Sequence, residues 1–169
     1  MIDRRVVLAS ALYLGGLGLT PAAFASARLR PAVFRRDPFL LGVASGYPHP
    51  NGMVLWTRLI ADLLAPDGGV GADDIEVGFE IALDPAFRQT VQTGLTRAEA
   101  IFAHSVHLEV RGLEPGRSYY YRFRAGEHRG AVGRTWTCPA AGQPQLPLRI
   151  GVASCQHYEQ GYYHAYRHM

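Results

Sequence analysis

From residue 39 onward the chain alternates short apolar stretches with glycine- and proline-rich breaks. Over Ile75 to Leu83 the residues Ile75, Val77, Phe79 and Ile81 point one way, and Glu76, Gly78, Glu80 and Ala82 the other. A period of two is the signature of a strand with one buried and one wet face. Ser105 to Val110 repeats it with Val106, Leu108 and Val110, and Ser118 to Ala125 sets Tyr119, Tyr121 and Phe123 against Tyr120, Arg122 and Arg124. Phe39 to Ala44 is apolar and ends in Ser45-Gly46. Met53 to Leu59 contains Trp56 and follows Pro50-Asn51-Gly52. There Asn-Gly predicts a tight hairpin turn, because both residues tolerate positive φ. Gln89 to Leu95 reads as a weaker strand, Pro66 to Asp74 as an exposed loop, and Val132 to Thr137 as the last strand. Seven or so short strands at this spacing predict an antiparallel β-sandwich over residues 38–138.

The run Leu113-Glu114-Pro115-Gly116, with Tyr119 and Tyr121 after it, is similar to the corner of fibronectin type III domains. In that corner a tyrosine hydroxyl bonds back to the backbone near the turn. Either Tyr119 or Tyr121 can fill the role. Residues 139–147, with Pro139, Gly142, Pro144 and Pro147, read as a linker. Beyond it the pattern changes. Leu148 to Ala153, running into Ser154 and Cys155, is an unbroken apolar run of the kind found in buried central strands. Tyr158 to His168 reads as a loop turning into a helix. The expected architecture is therefore mainly β: a fibronectin type III-like sandwich, then the first strand and helix of an incomplete α/β domain over 148–169.

The first 27 residues read as a signal peptide. Arg4 and Arg5 supply a positive start, Val6 to Leu19 an apolar stretch, and Ala23-Phe24-Ala25 or Ala25-Ser26-Ala27 a small-residue cleavage site. The apolar stretch is shorter than the roughly 20 residues a membrane span needs, and glycines interrupt it. The paired arginines before Val6-Val7-Leu8 resemble a twin-arginine signal, with Asp3 where Ser or Thr is usual. The expectation is recognition by export machinery and a periplasmic or extracellular location. Residues 28–37, with Arg28, Arg30, Arg35 and Arg36, form a basic connector. An apolar share of 48% with 18% charged residues excludes a disordered chain. All 17 basic residues are arginines, and they are scattered, so the net charge of +3 gives no nucleic-acid-binding signature.

Cys155 follows the apolar run, at the strand end where open α/β sheets bind ligands. Position alone leaves it open as a nucleophile, a metal ligand or a core thiol. Cys138 is the one other cysteine, and a linker residue and a buried strand make poor disulfide partners. His164 and His168, four apart, would share a face of an α-helix, although no carboxylate completes it. His157 reads as a surface residue, as does His49 in its proline-flanked turn. His104 and His107 fall on opposite faces of a strand. The chain contains no phosphate-binding Gly-x-x-x-x-Gly-Lys loop, no Gly-x-Ser-x-Gly elbow and no His-Glu-x-x-His. After the linker the sole acidic residue is Glu159, too few donors for a two-metal centre.

Two segments together resemble the alkaline phosphatase D family. Asp37 to Gly46 with Val54 to Leu59 is similar to the family's opening. Arg149 to Gln156 with Gly161-Tyr162-Tyr163 is similar to the start of its metallophosphatase domain. The resemblance implies an exported hydrolase of phosphate mono- and diesters that uses ferric iron and calcium. It makes Cys155 a ligand of the iron, with the remaining metal ligands and the catalytic residues outside this chain, which alone would be inactive. Tyr47 and Asn51 depart from the aspartates common in the turn after Ser-Gly, and Cys138 is unusual at the sandwich exit. Two other readings compete: a stand-alone secreted fibronectin-like binding module, and the N-terminal part of a purple-acid-type metallophosphatase. An orphan apolar strand after residue 148 argues against the binding module.

Overall fold

Alternating side chains can bury one face of a strand only against a second sheet, and the strands of this chain form two. A computed structural model describes residues 33–143, 147, 149–155, 157 and 159–168; the expected signal peptide, 1–27, and residues 28–32 of the connector lie outside them. The strands are β1 (Val43–His49), β2 (Gly52–Arg58), β3 (Ile75–Ala82), β4 (Thr90–Ala98), β5 (Ser105–Arg111), β6 (Ser118–Ala125), β7 (His128–Arg129) and β8 (Gly133–Trp136). One sheet has the order β1-β2-β5. The other has the order β4-β3-β6, with β7 and β8 both paired to the far edge of β6. All these pairings are antiparallel. This is the connectivity of a fibronectin type III-like sandwich, with its last strand broken in two. The break falls at Gly130, whose N–H donates to the Phe123 carbonyl and whose bare Cα lets the Phe39 ring approach closely.

The core lies between the sheets. Met53 and Leu55 of β2 and Val106 and Val110 of β5 meet Val77, Phe79 and Ile81 of β3 and Tyr119, Tyr121 and Phe123 of β6, all buried. Thr57 is wholly buried among them, and its hydroxyl donates to the Gly42 carbonyl at 2.9 Å. Tyr119 is the corner tyrosine. Its hydroxyl accepts from the Glu114 N–H at 2.9 Å and donates to the Glu114 carbonyl at 3.4 Å. Tyr121 instead meets Ser45 of β1, and burial pushes its phenol above the ordinary range.

Three local expectations differ from the fold. The first strand runs from Val43 to His49, not over 39–44. Phe39 leaves the strand path to plug the sandwich end, where Ile60 N–H donates to the Pro38 carbonyl at 2.8 Å, and Gly42 turns the chain with φ +71. The hairpin turn consists of Pro50 and Asn51, since His49 pairs with Gly52. Gly52 is required for a different reason: an added Cβ would lie 1.8 Å from the Val110 carbonyl oxygen of the neighbouring strand. The positive φ belongs to Tyr47, at the register shift between Gly46 and His49. Third, β4 extends to Ala98. It lies at a sheet edge, so its half-exposed side chains dilute the alternation that marks strands in sequence.

After the linker, the expected strand and α-helix are not formed among the described residues. Arg149 to Cys155 is irregular and exposed, with Ile150 at 73% and Val152 at 84% accessibility. A central strand needs a hydrogen-bonding neighbour on each side, and nothing in the sandwich pairs with this segment. His164–His168 is a 3₁₀ turn. No helix among the described residues is long and apolar enough to cross a membrane.

Candidate functional site

The chain leaves the sandwich at Cys138, which is tied down on three sides. Its N–H donates to the His49 carbonyl and its own carbonyl accepts from Gly116, both at 3.0 Å. Its thiol donates to the Pro48 carbonyl at 3.3 Å. The exit is thus fixed against the β1–β2 turn on one side and the tyrosine corner on the other. Next to it, Ser45, Gly46 and Pro48 of β1 and Thr135 and Trp136 of β8 border a cleft of about 650 Å³. Pro147 lies on the same cleft.

Cys155 lies beyond the linker. It is exposed, is not in a disulfide and holds φ +47, in the left-handed region. Cys138 is also a free thiol. His157 is exposed, and its Nδ1 accepts from the Glu159 N–H at 3.3 Å while its carbonyl accepts from the Tyr163 hydroxyl at the same distance. These contacts are local to the segment. His164 and His168 do not share a face: a 3₁₀ turn advances about 120° per residue, so positions four apart diverge by a third of a circle.

In the sandwich, His104 is buried at the entrance to β5, its Nε2 3.0 Å from the Asp73 carbonyl, while His107 is exposed and paired opposite Trp56. His104 has a structural task that the sequence pattern did not announce: it latches the 66–74 loop onto the sheet. His49 stacks at 5.2 Å on Tyr47.

Among the described residues, no three His, Cys, Asp or Glu side chains converge as metal ligands. Cys155 offers one soft donor, suited to a transition metal. Calcium takes six to eight oxygen ligands, and the carboxylate of Glu159 alone does not approach that number. The donors among the described residues therefore do not assemble a metal centre by themselves.

Comparison with known proteins gives this geometry its setting. The family model for the N-terminal domain of PhoD-like phosphatases matches residues 23–139, which takes in the whole sandwich. Alkaline phosphatase D of Bacillus subtilis is 45% identical over 171 aligned positions, covering 99% of this chain and 29% of that protein. The chain thus spans less than a third of that relative's length. A solved structure of PhoD, also 45% identical, superposes with a TM-score of 0.72 over 80% of this chain and 26% of the other. The closed two-sheet topology, the corner at Tyr119 and a match across the sandwich agree: the chain belongs to the PhoD-like phosphatase family, of which it contains the N-terminal domain.

Proposed function

We propose that this chain is the exported N-terminal part of a metal-dependent alkaline phosphatase and phosphodiesterase. In this reading residues 38–138 form the sandwich, 139–147 the linker and 148–169 the start of the catalytic domain. The observation that supports it best is the extent of the likeness. At 45% identity over 99% of the chain, the alignment includes the segment around Cys155 as well as the sandwich. Cys155 supplies a thiolate to ferric iron, while calcium and the remaining ligands belong to sequence outside this chain. The substrates are phosphate mono- and diesters. Residues 1–27 act as a twin-arginine signal and direct the protein to the periplasm or the extracellular space.

The 169-residue chain has no turnover of its own on this reading, because Cys155 and Glu159, the single cysteine and single carboxylate after the linker, cannot hold two kinds of ion around a phosphoryl group. The test is an assay of the chain with p-nitrophenyl phosphate and its bis ester in ferric iron and calcium. Hydrolysis dependent on those metals would refute the claim of inactivity. In a protein extended to the relative's full length, Cys155→Ser removes iron and activity together; unchanged iron content overturns the ligand assignment. Export is checked separately: Arg4→Lys with Arg5→Lys retains the protein inside the cell.

A further inference from the structure

The outward face of the sheet β4-β3-β6-β7 has an excess of arginine: Arg97, Arg122, Arg124, Arg129 and Arg134 share it with Glu76 and Glu80. Register places Arg129 of β7 directly opposite Arg124 of β6, and Glu80 of β3 opposite Arg122. Two like charges at directly opposed positions destabilise a sheet. No described acid ion-pairs with either arginine, and Glu80 acts on them only at longer range. Arg122 Nε donates to Glu80 at 2.5 Å and its guanidinium lies over the Phe87 ring, 3.9 Å from the centroid. Glu80 is therefore already engaged. Arg122 above all, with Arg129 and Arg124 at longer range, holds its carboxyl below the usual range. Glu127 lies in the turn between β6 and β7, and neither it nor any other described acid forms a salt bridge to Arg124 or Arg129.

The two arginines border a shallow cavity of about 360 Å³, with Thr93, Gly94 and Leu95 of β4 on its other side and Phe79 and Glu80 of β3 between them. Glycines shape it. A side chain at Gly78 would collide with Arg124, whose stem crosses that position with Nε 2.5 Å from the place of a Cβ; Gly94 likewise makes room for the Phe79 ring. The stem of Arg124 is thus laid down along a bare strand, while Arg124 and Arg129 both stay exposed.

We propose that Arg124 and Arg129, with the Thr93 hydroxyl at the opposite wall, form an oxyanion site that takes the phosphate group of a phosphodiester. Guanidinium forks match phosphate oxygens bidentately, and two of them facing one cavity relieve their mutual repulsion when an anion enters. The Glu80 carboxylate in the lining selects against a second negative charge. The site therefore prefers the monoanion of a diester over the dianion of inorganic phosphate. The exposed Leu95 gives the ester substituent an apolar wall. Linked to the proposed phosphodiesterase reading, this is a site at which the sandwich itself would hold diester groups. Its test needs no turnover and no metal, so it fails or succeeds apart from that reading.

The experiment is a titration of the ¹⁵N-labelled chain at pH 8, following the arginine Nε–H and backbone amide signals. Dimethyl phosphate should give saturable shifts confined to Arg124, Arg129, Thr93 and Leu95, at lower concentration than inorganic phosphate does. Arg129→Gln should weaken that binding about tenfold, while Arg134→Gln on the same face leaves it unchanged. Glu80→Gln should improve inorganic phosphate more than dimethyl phosphate. Non-saturating shifts spread over all arginines, or an Arg129→Gln chain with intact sheet amides and unaltered binding, overturn the site. Equal or tighter binding of inorganic phosphate overturns the diester preference. Cosedimentation with phosphatidylglycerol vesicles, lost in Arg129→Gln, would assign the diester to a lipid headgroup; dimethyl phosphate binding without cosedimentation assigns it to a soluble ester.

Discussion

Replacing Tyr119 with phenylalanine removes one oxygen and leaves the ring that packs in the core. The hydroxyl serves the N–H of Glu114 at 2.9 Å and reaches its carbonyl at 3.4 Å. These two losses are unequal. Thr137 Oγ1 also donates to the Glu114 carbonyl, at 2.7 Å, so that acceptor keeps a partner. The N–H loses its partner in the corner. A hydrogen bond contributes about 0.5–1.5 kcal/mol net, and a donor left unmade in a buried setting costs about 1–3 kcal/mol. Glu114 is itself exposed, so water reaches part of the corner and the lower half of that range applies. The expected loss is about 1–2 kcal/mol, or roughly 5–10 °C in Tm for a domain of this size. Urea unfolding followed by circular dichroism at neutral pH measures it, with Tyr121→Phe alongside. Tyr121 is not bonded to the corner and should lose less. A Tyr119→Phe chain within about 0.5 kcal/mol of the parent, or one less affected than Tyr121→Phe, would refute the assignment of the corner.

Gly52→Ala should cost at least about 2 kcal/mol, because its methyl meets a backbone carbonyl that moves only if β2 and β5 part; thermal unfolding checks it. Leu55→Ala, at a fully buried position, should cost about 2–5 kcal/mol in the same assay. Glu80 has its folded-state pKa lowered, chiefly by its hydrogen bond to Arg122, so its contribution is present above the unfolded-state value and lost as pH falls through the folded one. The stability gap between the parent and Glu80→Gln should therefore narrow on acidification from neutral pH, read as converging urea midpoints; a gap independent of pH contradicts it. Asp84 accepts from the N–H groups of Ala86, Arg88 and Gln89, the last bond doing most to lower its pKa. Asp84→Asn should speed hydrogen exchange at those three amides in the β3–β4 turn while leaving β6 protected.

The two-sheet fold is legible in the sequence where a strand is wet on one side. β3 and β6 alternate cleanly because each sits inside its sheet with one face on the core; β5 is an edge strand, yet it buries Val106 and Val110 on the core, with Leu108 half-buried between them. β1 and β4 are harder to place because they are edge strands that bury few of their side chains. Nearly every residue of β1 is exposed, so burial leaves little imprint on its composition, and the apolar Phe39 that marked the segment has left the strand to pack against Gly130. The choice between Tyr119 and Tyr121 depends on which ring lies nearer the Glu114 turn, a three-dimensional fact that spacing alone does not fix. Arg124 and Arg129 look unremarkable in sequence. Only register turns two arginines five positions apart into a facing pair. Cys155 is the opposite case. Its motif is legible as sequence, yet the surroundings that would give a thiolate its chemistry are absent from the described residues.

The threefold anchoring of Cys138 has a mechanical consequence. The chain is pinned beside Pro48 at Cys138, so the β1–β2 turn is the pivot for the segment that follows. Fully extended, residues 139–147 reach at most roughly 30 Å. Whatever follows them stays within that radius of the sandwich, at an effective concentration in the millimolar range. Weak surfaces near the pivot then suffice to hold a neighbour that would drift away if it were not tethered.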